Sequence, residues 1–387
     1  MDFEYHVPAS IIYGKGASLK AATQAKALSL KNVLLVSDQF LEKIGVVKTL
    51  ADALIADGLN VTVFTNINNE PTTLDVDNAL AALKSNNCEG IICLGGGSAL
   101  DTAKAASVLA TNGGKMSDYM GYHKVKKASL PLIAIPTTAG TGSEVTRVVV
   151  ITDVENDVKM MCLDNAFMAD VAIVDYSLTM SMPKSLTAFV GIDALTHAIE
   201  AYVSKKANPV ADIFALLAIK LISENILTAY DHPDDEKARE NMMLGANYAG
   251  IAFSNSSVCA VHGMSRPIGA HFHIAHGLSN AMLLPIVTEY SIDGNPERYA
   301  KIAETMGYDP KLGTTALCAK LIEKLREFNS HMSIPTLKVY GVDHGKFESV
   351  VEVMTKAAIA SGSPGNNHKV YPPYEMCQIY RLVYDYK

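Results

Sequence analysis

The stretch "GIICLGGGSALDTAKAAS", residues 90–107, lays out a strand, a glycine turn and a helix in immediate succession. "GIIC" is a short β-branched run of the kind that forms a strand. Gly95, Gly96 and Gly97 let the backbone approach a ligand closely, and Ser98 is the expected N-cap of the helix "ALDTAKAASVLA". A helix N-terminus behind a glycine turn suits an anion such as a pyrophosphate, although the same pattern also serves as a tight strand–helix turn with no ligand. The pattern is not G-x-G-x-x-G. The carboxylate at the end of an adjacent strand, Asp38 after "NVLLVS", comes before the loop in sequence, not after it. The usual Rossmann fingerprint does not fit, and a differently wired dinucleotide fold fits better.

Outward from this loop the first half of the chain alternates. "NVLLVS" (32–37), "NVTVFT" (60–65) and "LPLIAIP" (130–136) are further short strand runs. "VVKTLADALIADG" (46–58) and "LDVDNALAALKSNN" (74–87) are helical patterns between them. Such alternation predicts a parallel sheet covered on both faces. "EVTRVVVITD" (144–153) and "DVAIVDYS" (170–177) add strand material. After Pro183 strand signals almost vanish, and helical patterns follow at 185–204, 209–230, 235–254 and 257–272. The expectation is an α/β dinucleotide-binding domain over 1–183 and an all-helical metal-binding and substrate domain over 184–387.

The bulk numbers suit a soluble enzyme. The 387 residues are 49% hydrophobic and 19% charged, enough for two domains with large cores. A net charge of −7 with no basic cluster beyond "HKVKK" (123–127) argues against nucleic acid and anionic membrane as partners. No uninterrupted apolar run suggests a membrane span, since "IFALLAIKLI" (213–222) is broken by Lys220. "MDFEYHVPAS" has no basic-then-apolar leader pattern, so a cytoplasmic location is expected. The six cysteines are scattered without a CxxC pair and read as buried free thiols.

A second loop, "IPTTAGTGSEVT" (135–146), leaves another strand and is dense in hydroxyls and glycine. Thr137, Thr138 and Thr141 are candidates to line a cofactor, though such loops also occur without function. Asp101 and Lys159 complete the cofactor-side candidates.

The helix "GIDALTHAIEAYVS" (191–204) is apolar around Asp193 and His197, which stand four residues apart on one face. A buried carboxylate costs several kcal/mol unless something pairs with it. Its partner is either protonated His197 or a metal ion held by both side chains. A metal needs more ligands, and "VHGMSRPIGAHFHIAHG" (261–277) holds four of the eleven histidines. His262 could project inward from a helix and a chain reversal could return His276 beside it, giving three nitrogens and one oxygen. His271 and His273 read as surface residues.

Four motifs together carry a resemblance: "GGGSALDTAK" (95–104), "PTTAGTGSEVT" (136–146), "GIDALTHAIEAYVS" (191–204) and "HGMSRPIGAHFHIAHG" (262–277). In order and spacing, over essentially the whole chain, the sequence resembles the iron-containing (group III) alcohol dehydrogenases. The resemblance implies a dehydroquinate synthase-like architecture, with an NAD(P)-binding α/β domain and a helical C-terminal domain. It implies Asp193, His197, His262 and His276 as metal ligands and a homodimer or larger homo-oligomer. It also implies a dehydrogenase or aldehyde reductase that moves a hydride between a small alcohol or diol and NAD.

With only nitrogen and oxygen donors the site would take Fe²⁺, Zn²⁺ or another divalent transition metal. Intrinsic affinity favours zinc, so iron loading would reflect availability. The ion would act as a Lewis acid on the substrate oxygen. His262, His276 and Arg266 are the catalytic candidates, and Phe253 is a candidate to shape the substrate pocket. Arg266 stands where many family members have a histidine. Arginine stays charged, so a proton relay through it is excluded, and its charge could instead select a carboxylate. Asp38 could accept hydrogen bonds from a ribose 2′-OH, favouring NAD over NADP, or simply cap the next helix. The alternatives are a hydroxy-acid (4-hydroxybutyrate type) dehydrogenase, a lyase of the same superfamily, a metal hydrolase (which lacks its HExxH motif here) and a non-catalytic nucleotide-binding protein.

Overall fold

The computed structural model describes residues 2–67, 70–156 and 158–386. Among the described residues nine strands are formed: β1 (Ser10–Tyr13), β2 (Asn32–Val36), β3 (Asn60–Phe64), β4 (Gly90–Gly95), β5 (Gly121–Tyr122), β6 (Leu132–Pro136), β7 (Val148–Asp153), β8 (Val158–Leu163) and β9 (Val171–Val174). The helices of the first half are α1 (Ala21–Ala27), α2 (Gln39–Lys43), α3 (Val46–Ala56), α4 (Thr73–Ser85) and α5 (Gly97–Asn112). Those of the second half are α6 (Lys184–Val203), α7 (Pro209–Asp231), α8 (Glu236–Ser254), α9 (Ala260–Phe272) and α10 (His276–Ser291), followed by α11 (Pro296–Thr305), α12 (Thr314–His331), α13 (Leu337–Tyr340), α14 (His344–Ala360) and α15 (Pro373–Val383).

The chain divides into two compact units, His6–Ser181 and the residues from Met182 onward together with the N-terminal segment up to Tyr5. In the first unit six parallel strands form a sheet in the order β1-β9-β6-β4-β2-β3. The strands are near-continuous apolar runs because both faces are covered. Val33, Leu35, Ile92, Leu94, Ile133 and Ile135 meet α1 and α3 on one face. Leu34, Val36, Ile91, Cys93, Leu132 and Ala134 meet α4 and α5 on the other. The chain passes from β2 to the edge strand β3 and returns to β4 on the opposite side of β2. That reversal makes the carboxyl ends of β2 and β4 a topological switch point, where open α/β sheets bind ligands.

The "EVTRVVVITD" segment does not join this sheet. Ser143–Val145 is a short 3₁₀ turn, and β7 pairs antiparallel with β8 in a separate three-stranded sheet that includes β5.

The second unit has helices and, among the described residues, no named strand. Helix starts carry their caps: Asn208 with Pro209 for α7 and Asp235 for α8. α6 is long and apolar enough to cross a membrane by length and composition, which the search for uninterrupted apolar runs passed over. Yet 83% of its apolar window is buried inside the fold, which makes it a core helix. Tyr5 stacks on Phe214 of α7, ring centroids 6.3 Å apart, so the first residues of the chain pack with the helices.

Candidate functional site

The nucleotide-side candidates gather at the carboxyl ends of three adjacent strands. Asp38 follows β2, the glycines close β4, and Thr137 follows β6 with its N–H on the Gly95 carbonyl at 3.1 Å. α5 begins two residues earlier than the sequence suggests. Gly96 is its N-cap and Ser98 lies inside the first turn, correcting the expectation that Ser98 caps it. Gly96 has no side chain with which to cap α5, and a helix start of this kind behind a glycine turn suits an anion. Gly97 is required by space, because a Cβ there would lie 2.9 Å from Thr141 Cγ2. A Cβ on Gly96 would touch Thr138 Cγ2 at 3.5 Å, so the two loops lie against each other. Asp38 does two things: Oδ1 accepts the Leu41 N–H at 2.9 Å and caps α2, while Oδ2 faces the Gly95 position.

Asp101 points to the second loop, accepting from Ser143 Oγ at 2.7 Å and from the Val150 N–H at 2.8 Å. Burial raises its pKa despite the charge of Lys104. Lys104 itself escaped the sequence reading. It is fully buried, and its Nζ donates to Ser143 Oγ (2.9 Å), Thr146 O (2.9 Å), Thr146 Oγ1 (3.1 Å) and Val148 O (3.2 Å). Burial pushes the ammonium down to about 8, against the pull of Asp101 and Glu144. The signal available was its position three residues after Asp101, on the same helical face. Lys159 sits on β8, where its Nζ pairs with Glu70 Oε1 at 3.0 Å; its charge still reaches Asp101.

In the helical unit the structure brings Asp193, His262 and His276 together, with ligating atoms all within 4.8 Å of one another. Asp193 Oδ1 lies 3.5 Å from His262 Nε2 and 3.8 Å from His276 Nε2. The approach of α10 to α6 depends on Gly277, where a Cβ would lie 2.6 Å from Phe189 O. His197 contributes no nitrogen to that trio. Its ring stacks between Phe253 and His262, centroids 4.3 Å from each. Phe253 therefore packs on a candidate ligand. Arg266, one turn after His262, donates from Nη1 to Ser363 Oγ at 3.2 Å. His271 is partly buried and His273 exposed, the latter closing α9 in a left-handed conformation.

The electrostatics are those of a cation site. Asp193 is 2% exposed. Burial pushes its carboxyl up, but His197, His276 and His262 outweigh this and hold it well below the usual carboxylate range. Burial drives His197 down to about 3, reinforced by the charges of His262, His276 and Arg266 against Asp193, so its imidazole is neutral. Burial pushes His262 down as well, but Asp193 and Glu200 prevail and raise it. Two buried ring nitrogens, His262 Nε2 and His197 Nδ1, have no hydrogen-bond partner. Orphaned buried ring nitrogens beside a buried carboxylate fit a divalent ion held by nitrogen and oxygen.

Two further residues join this centre without having been singled out as ligands. Asn280 donates from Nδ2 to Asp193 Oδ1 at 2.6 Å and contacts His276 Nε2 at 3.2 Å. It follows His276 by one helical turn, which was the available signal. Glu200, one turn beyond His197 on α6, meets His262 Nδ1 at 2.7 Å and is buried.

Comparison with known proteins places the chain in context. Residues 8–176 match the family described as iron-containing alcohol dehydrogenase, and residues 187–384 match its C-terminal counterpart. The sequence is 36% identical over 376 residues to an NAD-dependent methanol dehydrogenase from Bacillus methanolicus, covering 97% of this chain and 98% of that protein. A crystal structure of a 1,3-propanediol oxidoreductase superposes with a TM-score of 0.96 at 35% identity, covering 99% of this chain and 100% of that one. A sulfoacetaldehyde reductase from Bifidobacterium kashiwanohense, solved in complex with NAD⁺, superposes with a TM-score of 0.89 at 29% identity over the whole of both chains.

Proposed function

Because this chain belongs to the iron-containing alcohol dehydrogenase family, we propose that it transfers a hydride between NAD and a small primary alcohol or diol, with Asp193, His197, His262 and His276 as ligands of its ion. Alcohol or aldehyde oxidoreduction is the activity of the family and of this chain; the hydroxy-acid and lyase alternatives are not favoured. One observation carries the ligand assignment: a buried Asp193 carboxylate faces His262 Nε2 and His276 Nε2, with two buried imidazole nitrogens unpartnered. When bound, the divalent ion supplies Lewis acidity toward a substrate oxygen, and NAD supplies the hydride acceptor.

The chain's own residues do the rest. Asp193 neutralises positive charge in a site from which it is itself excluded from water. His197 is neutral and its buried Nδ1 has no partner, and that orphaned atom supports its place as the fourth ligand. Arg266 takes no part in proton transfer, because a guanidinium cannot accept a proton at working pH; its positive charge helps keep His197 neutral. The uncapped start of α5 and the threonines of the second loop hold the phosphates. Asp38 Oδ2 is the group for the ribose 2′-OH, and its charge repels a 2′-phosphate. Lys104 and Asp101 hold the second loop against α5, and Lys159 lends charge at a distance.

We also place the enzyme in the cytoplasm, where six unpaired cysteines fit a reducing compartment. We expect a homodimer or larger homo-oligomer, for which the edge strands β1 and β3 offer backbone for pairing. The test of function is absorbance at 340 nm with NAD⁺ and 1,3-propanediol or other small alcohols, with and without added Fe²⁺ or Zn²⁺. Net NADH is expected. Its absence with every alcohol and either metal would overturn the proposal.

A further inference from the structure

Asp193, His197 and Glu200 follow one another at i, i+4 and i+7 along α6, and so share one helical face. Glu200 is 3% exposed. Its compensation comes from the start of another helix. α9 has Cys259 as its N-cap, and no side chain of that residue caps it. Glu200 does so from α6: Oε2 accepts the Cys259 N–H at 2.8 Å and Oε1 the Val261 N–H at 2.6 Å. The same Oε2 lies 2.7 Å from His262 Nδ1.

A carboxylate offers only acceptors, so Nδ1 of His262 carries a hydrogen, and in the neutral ring that a metal requires the lone pair lies on Nε2. Nε2 is the atom without a hydrogen-bond partner, 3.5 Å from Asp193 Oδ1. We infer that Glu200 is a positioning residue for the metal centre: it holds His262 in the Nδ1–H tautomer with Nε2 aimed at Asp193 and His276, and it ties the start of α9 to the helix that carries Asp193. This rests on the reading of His262 as a metal ligand. An outer carboxylate of this kind commonly fixes the ring orientation and the basicity of a ligating histidine.

Glu200→Gln keeps the shape and removes the chemistry. A glutamine has one acceptor oxygen and one amide donor. If the donor faces Nδ1, His262 must carry its hydrogen on Nε2 and lose the lone pair toward the cluster. If the donor takes the place of Oε1, the Val261 N–H alone loses its acceptor, and Nδ1 faces a neutral amide oxygen in place of a carboxylate. Asn367→Ala separates these effects, because Asn367 Oδ1 accepts the Ala260 N–H at 3.0 Å in the same turn.

The measurement is Zn²⁺ affinity by chelator competition on folded, metal-depleted wild type, E200Q, N367A and H262A. E200Q is expected to bind zinc about 10- to 100-fold more weakly than wild type, N367A like wild type, and H262A not measurably. Wild-type affinity in E200Q alongside loss in H262A would overturn the role of Glu200 and leave the ligand assignment standing. Equal losses in E200Q and N367A would reduce Glu200 to a helix cap and overturn the inference. Wild-type affinity in H262A would overturn the ligand assignment, and this inference with it. Should E200Q fail to fold, long-range ¹H–¹⁵N spectra of the zinc-loaded wild type decide, the His262 signals being assigned by their absence in His262→Gln. An Nδ1–H tautomer supports the inference, and an Nε2–H tautomer overturns it.

Discussion

Lys104→Met offers a demanding test of how the two nucleotide-side loops are held together. The wild-type ammonium is fully buried and has four acceptors on residues 143–148, three of which its protons can satisfy at once. Hydrogen bonds to a charged group contribute about 1.5–3 kcal/mol each. Against them stands the cost of burying the charge. The ordinary value of 10.5 is pushed down to about 8, and at 1.36 kcal/mol per pH unit this corresponds to about 3 kcal/mol. The net loss in K104M at neutral pH is on the order of 2–5 kcal/mol, or roughly 4–20 °C in melting temperature for a unit of this size. The sign with pH is the opposite of a salt bridge. The unfolded lysine keeps its proton up to about 10.5, whereas the folded one releases it from about 8. Unfolding therefore takes up a proton between these values, and stability rises with pH across the window. Urea unfolding of both proteins at about pH 7.5 and about pH 10.5 isolates this group, because other titrations cancel in the difference. The gap between wild type and K104M should widen by about 3 kcal/mol at the higher pH, and the NAD⁺ dissociation constant of K104M should be raised. Wild-type unfolding in K104M, with a difference flat in pH, would refute the anchoring role.

Asp38→Gly should shift the ratio of kcat/KM for NAD⁺ over NADP⁺ toward NADP⁺ and cost only a few tenths of a kcal/mol from the α2 cap; an unchanged ratio would leave Asp38 as a cap alone. Gly277→Ala should cost about 1–3 kcal/mol, because its Cβ would meet Phe189 O at 2.6 Å and Asp193 Cβ at 3.4 Å and drive α10 away from α6. Zinc retention after ultrafiltration should fall with it, and wild-type retention would count against the close approach that seats His276.

Much of the α/β half was legible because both sheet faces are buried. β4 and β6 are apolar runs bounded by glycine and by proline, and β2 is apolar from Val33 to Val36. β1 escaped because three half-buried residues and exposed Tyr13 pair only with β9 at the edge. The short strand β5 and the strand β8 escaped because alternation in a separate sheet mixes exposed Val158 and half-buried Lys159 with buried Met160 and Cys162. Asp193 stood out because a carboxylate within an apolar helix demands a partner. Lys104 and Glu200 did not. A charged residue on a helix usually reaches water, and the groups that hold these two lie 39–44 and 59–62 residues away in sequence. Local pattern carries no record of partners that only the tertiary fold brings near. The closeness of Gly97 to Thr141 is likewise invisible to local pattern, because it crosses from one loop to the other.

The central claim is that a divalent ion compensates the buried carboxylate of Asp193. Metal content by mass spectrometry on purified wild type, Asp193→Ala and His262→Ala, with NADH formation from 1,3-propanediol measured on the same samples, tests it most directly. The wild type should retain the ion, and both variants should lose the ion and turnover together. A variant that is fully active with no bound ion would contradict the assignment.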